Sequence, residues 1–148
     1  MSGKPKILCV DDKVDNLRIR TMLLERGGCE TITALDHTSA LRACTENRID
    51  LALIDYHLAR GETGDVLAHD LRVMYPKLPL IMLTGDPQLP RSAAEVVDAV
   101  LIKGQSSPAA LFDLIERLLP NATLIPRHAV KIDEQRQEVG LRKPGKAS

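Results

Sequence analysis

Aromatic residues are nearly missing from this chain: Phe112, Tyr56 and Tyr75 are the full set, and there is no Trp. That argues against base-stacking platforms and aromatic-lined ligand pockets. Net charge is missing too, because 20 Lys and Arg balance 20 Asp and Glu. Bulk electrostatics therefore gives no drive toward nucleic acid, and no direct nucleic-acid binding is expected. No apolar run approaches the ~20 residues that span a bilayer, so membrane insertion is not expected. The basic start Met1–Lys6 is followed only by Ile7–Val10 before two aspartates, which does not make a signal peptide. Cysteines are few. Cys9, Cys29 and Cys44 are odd in number and lack CxxC spacing. They read as reduced thiols, packed as small hydrophobes in a cytoplasmic protein.

What is present is globular. The chain has 148 residues, 44% hydrophobic and 27% charged, which suits one domain of the usual ~100–200 residues. Four-residue apolar runs recur at Ile7–Val10, Leu51–Ile54, Leu80–Leu83 and Ala99–Ile102, with a β-prone Thr31–Ala34 between the first two. Between them lie helical patterns. One starts at a capping Asp15, carries Leu17, Met22, Leu23 and Leu24, and closes at Gly27-Gly28. A second is capped by Thr38, with Leu41 and Cys44 facing inward. A third follows the loop Gly61–Gly64, with Val66, Leu67, Leu71 and Met74, and stops before Pro76. A short fourth spans Ser92–Val97, hemmed by Pro87 and Pro90. The last is capped by Ser106 or Ser107, has Pro108 in its first turn, and carries the stripe Leu111, Phe112, Ile115, Leu118 and Leu119.

Strands that are apolar throughout and alternate with helices predict an α/β fold. The expected architecture is a doubly wound, five-stranded parallel sheet of flavodoxin-like order 2-1-3-4-5, with helices on both faces. The pattern fails after Leu119. Residues 120–148 carry six Lys/Arg and three Asp/Glu, a net charge of +3, leaving −3 on residues 1–119. This is expected to be a basic C-terminal tail, flexible or partner-docking, with a short strand or helix near Ala129–Val139.

The polar residues fall at the strand ends. The first strand runs into Asp11-Asp12, the third ends at Asp55, the fourth at Thr84 and the fifth at Lys103. Ligands of open α/β sheets bind outside the carboxyl ends of the strands, near the switch in strand order. In the order 2-1-3-4-5 these five residues converge. Taken singly, an Asp after a strand is ordinarily a cap or loop residue and a Lys is ordinarily solvated. Four strand ends acting together point to a functional cluster. Two unit charges 4 Å apart repel by about 4 kcal/mol at an effective dielectric of 20, so the carboxylates must protonate or recruit cations. Lys103 supplies one. An all-oxygen set with few ligands suits Mg²⁺ better than Ca²⁺, and zinc is disfavoured without His or Cys at the strand ends. A carboxylate with Mg²⁺, a Lys and a hydroxyl nearby suits phosphoryl transfer to an Asp nucleophile, and Asp55 stands alone at the sheet centre.

The words Ile7-Leu8-Cys9-Val10-Asp11-Asp12, Leu53-Ile54-Asp55-Tyr56-His57-Leu58 with Gly64, Ile81-Met82-Leu83-Thr84-Gly85 and Val100-Leu101-Ile102-Lys103 occur in order over about Pro5–Leu119. In this the chain resembles the receiver domain of bacterial response regulators, the CheY-like family. The resemblance implies a stand-alone receiver of a two-component phosphorelay. Asp55 would take a phosphoryl group from the phosphohistidine of a sensor histidine kinase or a histidine phosphotransfer protein, and an unknown downstream protein would read the result. It implies Mg²⁺ ligation by Asp12, Asp55 and the backbone carbonyl of His57, with Asp11 acting through water. Lys103 would pair with the phosphoryl group, and the Thr84 hydroxyl would move onto it. A receiver of this kind is a switch rather than an enzyme.

Departures from the family are visible. Val100 stands where an aromatic switch residue is common, and Gly104 where Pro usually follows the Lys. The stretch from Thr84 to Lys103 is a few residues short, so the fourth helix is expected to be stunted. His57 and Asp86 occupy positions where the family tunes phosphate lifetime. His37, His69 and His128 carry no expected role. Two other functions compete. One is a Mg²⁺-dependent phosphatase with an Asp nucleophile, though its usual acid spacing and cap domain are not seen. The other is a phosphorylation-independent adaptor of the same fold, which the complete acid set disfavours.

Overall fold

The computed structural model describes residues 3–105, 107–122 and 124. The chain alternates strand and helix five times: β1 (Lys6–Val10), α1 (Val14–Arg26), β2 (Glu30–Ala34), α2 (His37–Glu46), β3 (Leu51–Asp55), α3 (Gly64–Met74), β4 (Leu80–Thr84), α4 (Arg91–Glu95), β5 (Ala99–Ile102) and α5 (Pro108–Leu118). The sheet order is β2-β1-β3-β4-β5, with every pair parallel. This is the doubly wound, flavodoxin-like arrangement expected.

The apolar strands are explained by their two covered faces. Ile7, Cys9, Leu51, Leu53, Ile81 and Leu83 pack against Leu17 and Leu24 of α1 and Leu111, Phe112 and Ile115 of α5. Their neighbours Leu8, Val10, Ala52, Ile54, Leu80 and Met82 face Ala40 and Cys44 of α2 and Leu67 and Leu71 of α3. Successive strand residues point to opposite faces, so both must be apolar. Gly27 lets α1 and α5 meet: a Cβ there would lie 2.2 Å from the Phe112 ring.

The helix starts differ from expectation. Asp15 lies inside the first turn of α1; Lys13 holds the cap position without a side-chain bond. The cap of α2 is Asp36, not Thr38. Its carboxylate accepts the Ser39 amide at 2.8 Å, and the Ser39 hydroxyl accepts the Asp36 amide at 3.2 Å. A reciprocal capping box satisfies two orphan donors at once, which outcompetes a single Thr hydroxyl. Ser107 caps α5, its hydroxyl accepting the Ala110 amide at 3.3 Å. Ser106 lies outside the described residues. Met22, Val66 and Met74 mark their helices but stand exposed rather than in the core.

Helix α4 is stunted as expected, with only 5 residues, and an arginine of α3 bonds the chain that follows it. The Arg72 guanidinium on α3 donates to the carbonyls of Val96, Pro76 and Leu78 and pairs with Asp98 at 2.9 Å. The anticipated 129–139 element, and the basic tail apart from 120–122 and 124, lie outside the described residues.

Candidate functional site

The carboxyl ends of β1, β3 and β4 deliver three buried polar side chains: Asp11, Asp55 and Thr84. They are the only polar or charged side chains classed as buried among the described residues. The backbone ladder carries on past the strands and fixes them. The Asp11 amide donates to Ala34 O at 3.2 Å, Tyr56 N–H to Leu83 O at 2.8 Å, and Lys103 N–H to Thr84 O at 2.7 Å.

Lys103 reaches from the end of β5 to Asp55 and forms a direct ion pair with Oδ2. Its ammonium also stands 3.8 Å from Asp11 Oδ2. Asp55 Oδ1 accepts the His57 amide at 3.2 Å. The His57 ring is exposed and meets Tyr56 edge-on, with centroids 4.9 Å apart. Gly64 starts α3 against the Asp55 backbone: a Cβ there would come within 2.4 Å of the Asp55 carbonyl oxygen. The glycine is therefore required by close approach at the site itself.

Asp11 and Asp55 share one niche and titrate in opposite directions. Burial pushes the Asp55 carboxyl up and the neighbouring Asp11 adds to this, while Lys103 pulls it back only in part. Burial also works against the Asp11 anion, but the neighbouring Asp55 carboxyl, which donates to it when protonated, the Lys13 amide and the charges of Lys103 and Arg20 hold it below the usual carboxylate range. Of the pair, Asp55 is the carboxyl that takes up a proton first.

Thr84 is buried, with its hydroxyl accepting the Asp86 amide at 3.0 Å. It is thus engaged with its own loop, while the Asp86 carboxylate accepts Gln88 N–H at 2.8 Å. Asp12 follows Asp11, half-buried, and its carboxylate has no hydrogen bond or ion pair among the described residues. The structure thus brings Asp11, Asp55 and Lys103 into contact and places Thr84 at the adjoining strand end.

Sequence reasoning missed Asn16 and Arg20 of α1. Asn16 Nδ2 lies 3.2 Å and Arg20 Nη1 3.3 Å from Asp11 Oδ2. The signal was available: Arg20 interrupts the inward stripe Leu17–Leu24 at helical spacing, where an unpaired charge is costly.

The donor set tests which metal could be held. Among the described residues, no three His, Cys, Asp or Glu side chains group as a metal cage. A caged Ca²⁺ or Zn²⁺ therefore does not fit. Carboxylates at neighbouring strand ends, with one left without a partner, fit a hydrated hard cation such as Mg²⁺, which needs only one or two protein carboxylates. The three cysteines are buried, and burial lifts the thiols of Cys9 and Cys29 to about 12, so neither is a thiolate nucleophile.

Residues 7–107 match the family model described as the response regulator receiver domain. The chain belongs to that family: it carries the receiver domain of two-component response regulators. Transcriptional regulatory protein PrrA of Mycobacterium tuberculosis is 31% identical over 117 residues, covering 77% of this chain and 48% of PrrA. The chain thus spans about half the length of the PrrA proteins it matches. Among solved structures, the signal receiver domain of an HD domain-containing protein from Pseudomonas fluorescens Pf-5 is similar at TM-score 0.73 and 27% identity, covering 79% of this chain and 95% of that one. A response regulator from Thermotoga maritima, solved in complex with Mg²⁺-BeF, shares the fold at TM-score 0.72 and 23% identity, covering 78% and 99%. No helix among the described residues is long and apolar enough to cross a membrane.

Proposed function

We propose that Asp55 is the phosphoacceptor of this receiver, taking its phosphoryl group from the phosphohistidine of a sensor histidine kinase or histidine phosphotransfer protein. The observation that supports this most is the buried Asp55 carboxylate, held by Lys103 at the centre of the sheet's carboxyl edge. One Asp55 oxygen attacks phosphorus, the phosphorus–nitrogen bond breaks, and the electron pair leaves with the imidazole. An aspartyl phosphate and a free histidine result. Asp12, Asp55 and the His57 carbonyl would hold Mg²⁺, with Asp11 acting through water. Bound there, the ion supplies positive charge to the equatorial phosphoryl oxygens. The complex of the Thermotoga regulator with Mg²⁺-BeF is consistent with such a site.

Lys103 is already paired with Asp55 and follows the transferred charge. The Thr84 hydroxyl leaves the Asp86 amide for a phosphoryl oxygen and draws the β4–α4 loop with it, a two-state element biased by local charge. Val100 is half-buried against the same core cluster as Val96 and Val97, so no aromatic rotamer at that position reports the change. The signal passes to a downstream protein by binding, and the domain acts as a switch and not as an enzyme.

Incubation with Mg²⁺ and acetyl phosphate, followed by intact mass measurement, tests this. One phosphoryl group is expected on the wild type and none on Asp55→Asn. An unmodified wild type, or an adduct that survives the substitution, refutes it. Turnover of small phosphomonoesters would instead favour an aspartyl phosphatase.

A further inference from the structure

The Asp11 carboxylate is fully buried, and its hydrogen-bonding capacity is largely taken. Oδ1 accepts the Lys13 amide at 2.9 Å. Oδ2 faces Asn16 Nδ2 at 3.2 Å and Arg20 Nη1 at 3.3 Å, with Lys103 Nζ beyond at 3.8 Å. An oxygen offers two lone-pair directions, and Asn16 and Arg20 occupy those of Oδ2. Arg20 is built in rather than passing by. Its side chain is only 13% exposed, and it lines a cavity of about 250 Å³ together with Leu23, Leu83, Leu101 and Leu111. A guanidinium stays charged at any accessible pH and tolerates such a setting better than an ammonium.

We propose that Arg20 is a fixed counter-cation of the acid niche. It ties up Asp11, leaves Lys103 free for Asp55, and weakens the demand of the site for a divalent cation. The charge count carries the argument. Asp11 and Asp55 share the niche at the carboxyl ends of the paired strands β1 and β3, and Asp12, next to Asp11 in the chain, adds a third negative charge at the same edge without joining them in one ligand group. With Lys103 as sole cation, its ammonium would be divided between Asp11 and Asp55. Arg20 approaches Asp11 from the α1 side, and Lys103 commits to Asp55. The anionic pull on a metal falls by one charge, and Asp11 offers no free Oδ2 lone pair to one. Arg20 is therefore a positioning residue, and the inference rests on the reading of this niche as a Mg²⁺-dependent phosphoacceptor site.

The test uses the whole chain and Mg²⁺ alone, with no phosphodonor. Binding is followed by amide NMR shifts at Asp12 and His57, and independently by the rise in melting temperature with Mg²⁺. Arg20→Gln is expected to bind Mg²⁺ about tenfold more tightly, equivalent to about 1.4 kcal/mol. Arg20→Lys, which keeps the charge, is expected to stay near wild type. Arg20→Met retains the apolar stem against the cavity and is expected to tighten binding as Arg20→Gln does, which guards against a folding defect in either variant. Equal or weaker affinity in both neutral variants overturns the proposal while leaving the phosphoacceptor reading intact. A wild type and variants that all fail to bind Mg²⁺ overturn both.

Discussion

Asp55→Asn is expected to raise the stability of the metal-free protein at neutral pH, although it removes the partner of an ion pair. In the native state the Asp55 anion is buried beside a second buried carboxylate, Asp11. Two such charges repel by about 4 kcal/mol at 4 Å and an effective dielectric of 20, a repulsion that Arg20 beside Asp11 offsets in part. The opposing attraction to Lys103 is discounted because that side chain is one-third exposed and hydrates well alone. A net gain of about 1–2 kcal/mol on neutralising Asp55 follows. At ~2.1 cal/mol/K per residue, a core of this size shifts by about 4 °C per kcal/mol, so the melting temperature should rise by about 4–8 °C. The pH dependence gives the sign independently. The folded Asp55 carboxyl titrates above its ordinary value of 3.8. The native state therefore binds a proton more tightly than the unfolded chain, and wild-type stability falls as pH rises through that interval. Asp11, lowered in the fold, acts oppositely and loses its contribution as pH falls through its native value. The advantage of Asp55→Asn should thus be full at neutral pH and shrink once acid protonates Asp55. Melts followed by circular dichroism from pH 4 to 8, with a chelator present, measure this. A variant less stable than wild type at pH 7, or an advantage that does not change with pH, refutes the electrostatic account.

Further outcomes are expected elsewhere in the fold. Gly64→Ala drives a methyl into the Asp55 carbonyl and Ile54. It should cost about 1–3 kcal/mol by overpacking and also slow labelling by acetyl phosphate, which Gly27→Ala at the remote α1–α5 contact should not. Gly104 turns the chain after Lys103 with φ +81°, its neighbour Gln105 donating to Ile102 O at 3.1 Å. Gly104→Ala should lose about 1–2 kcal/mol in denaturant melts, and Gly104→Pro more, because its fixed φ has the wrong sign. Asp36→Ala removes the α2 capping box and should cost about 1 kcal/mol with little change in Asp55 labelling.

The fold was legible because its signal is redundant. Ile7–Val10, Leu51–Ile54 and Leu80–Leu83 are apolar on both faces, which only a doubly covered parallel sheet demands. Asp11, Asp55 and Lys103 were legible because a strand end is a fixed address in such a sheet. Their contact is a consequence of strand order. Caps were less legible. Asp36 and Thr38 both precede an apolar stripe, and only the reciprocal Ser39 bond decides between them. Arg20 and Asn16 escaped because helix positions are ordinarily assigned by apolar periodicity, and a charge within the stripe is passed over. Arg72 escaped for a different reason. Its partners Val96 and Asp98 lie more than twenty residues away and meet it only once α3 and the short α4 pack. Gly104 marks a loop that takes its own path: a left-handed turn stands where a proline, which lacks access to positive φ, is usual in the family.

The most direct measurement is chemical mapping of the phosphoryl group. The protein is loaded from acetyl phosphate with Mg²⁺, reduced with borohydride to convert an acyl phosphate into an alcohol, and sequenced by tandem mass spectrometry. The account predicts reduction at residue 55 as homoserine, with Asp11 and Asp12 intact. Reduction at Asp11 or Asp12 with residue 55 unmodified would contradict it.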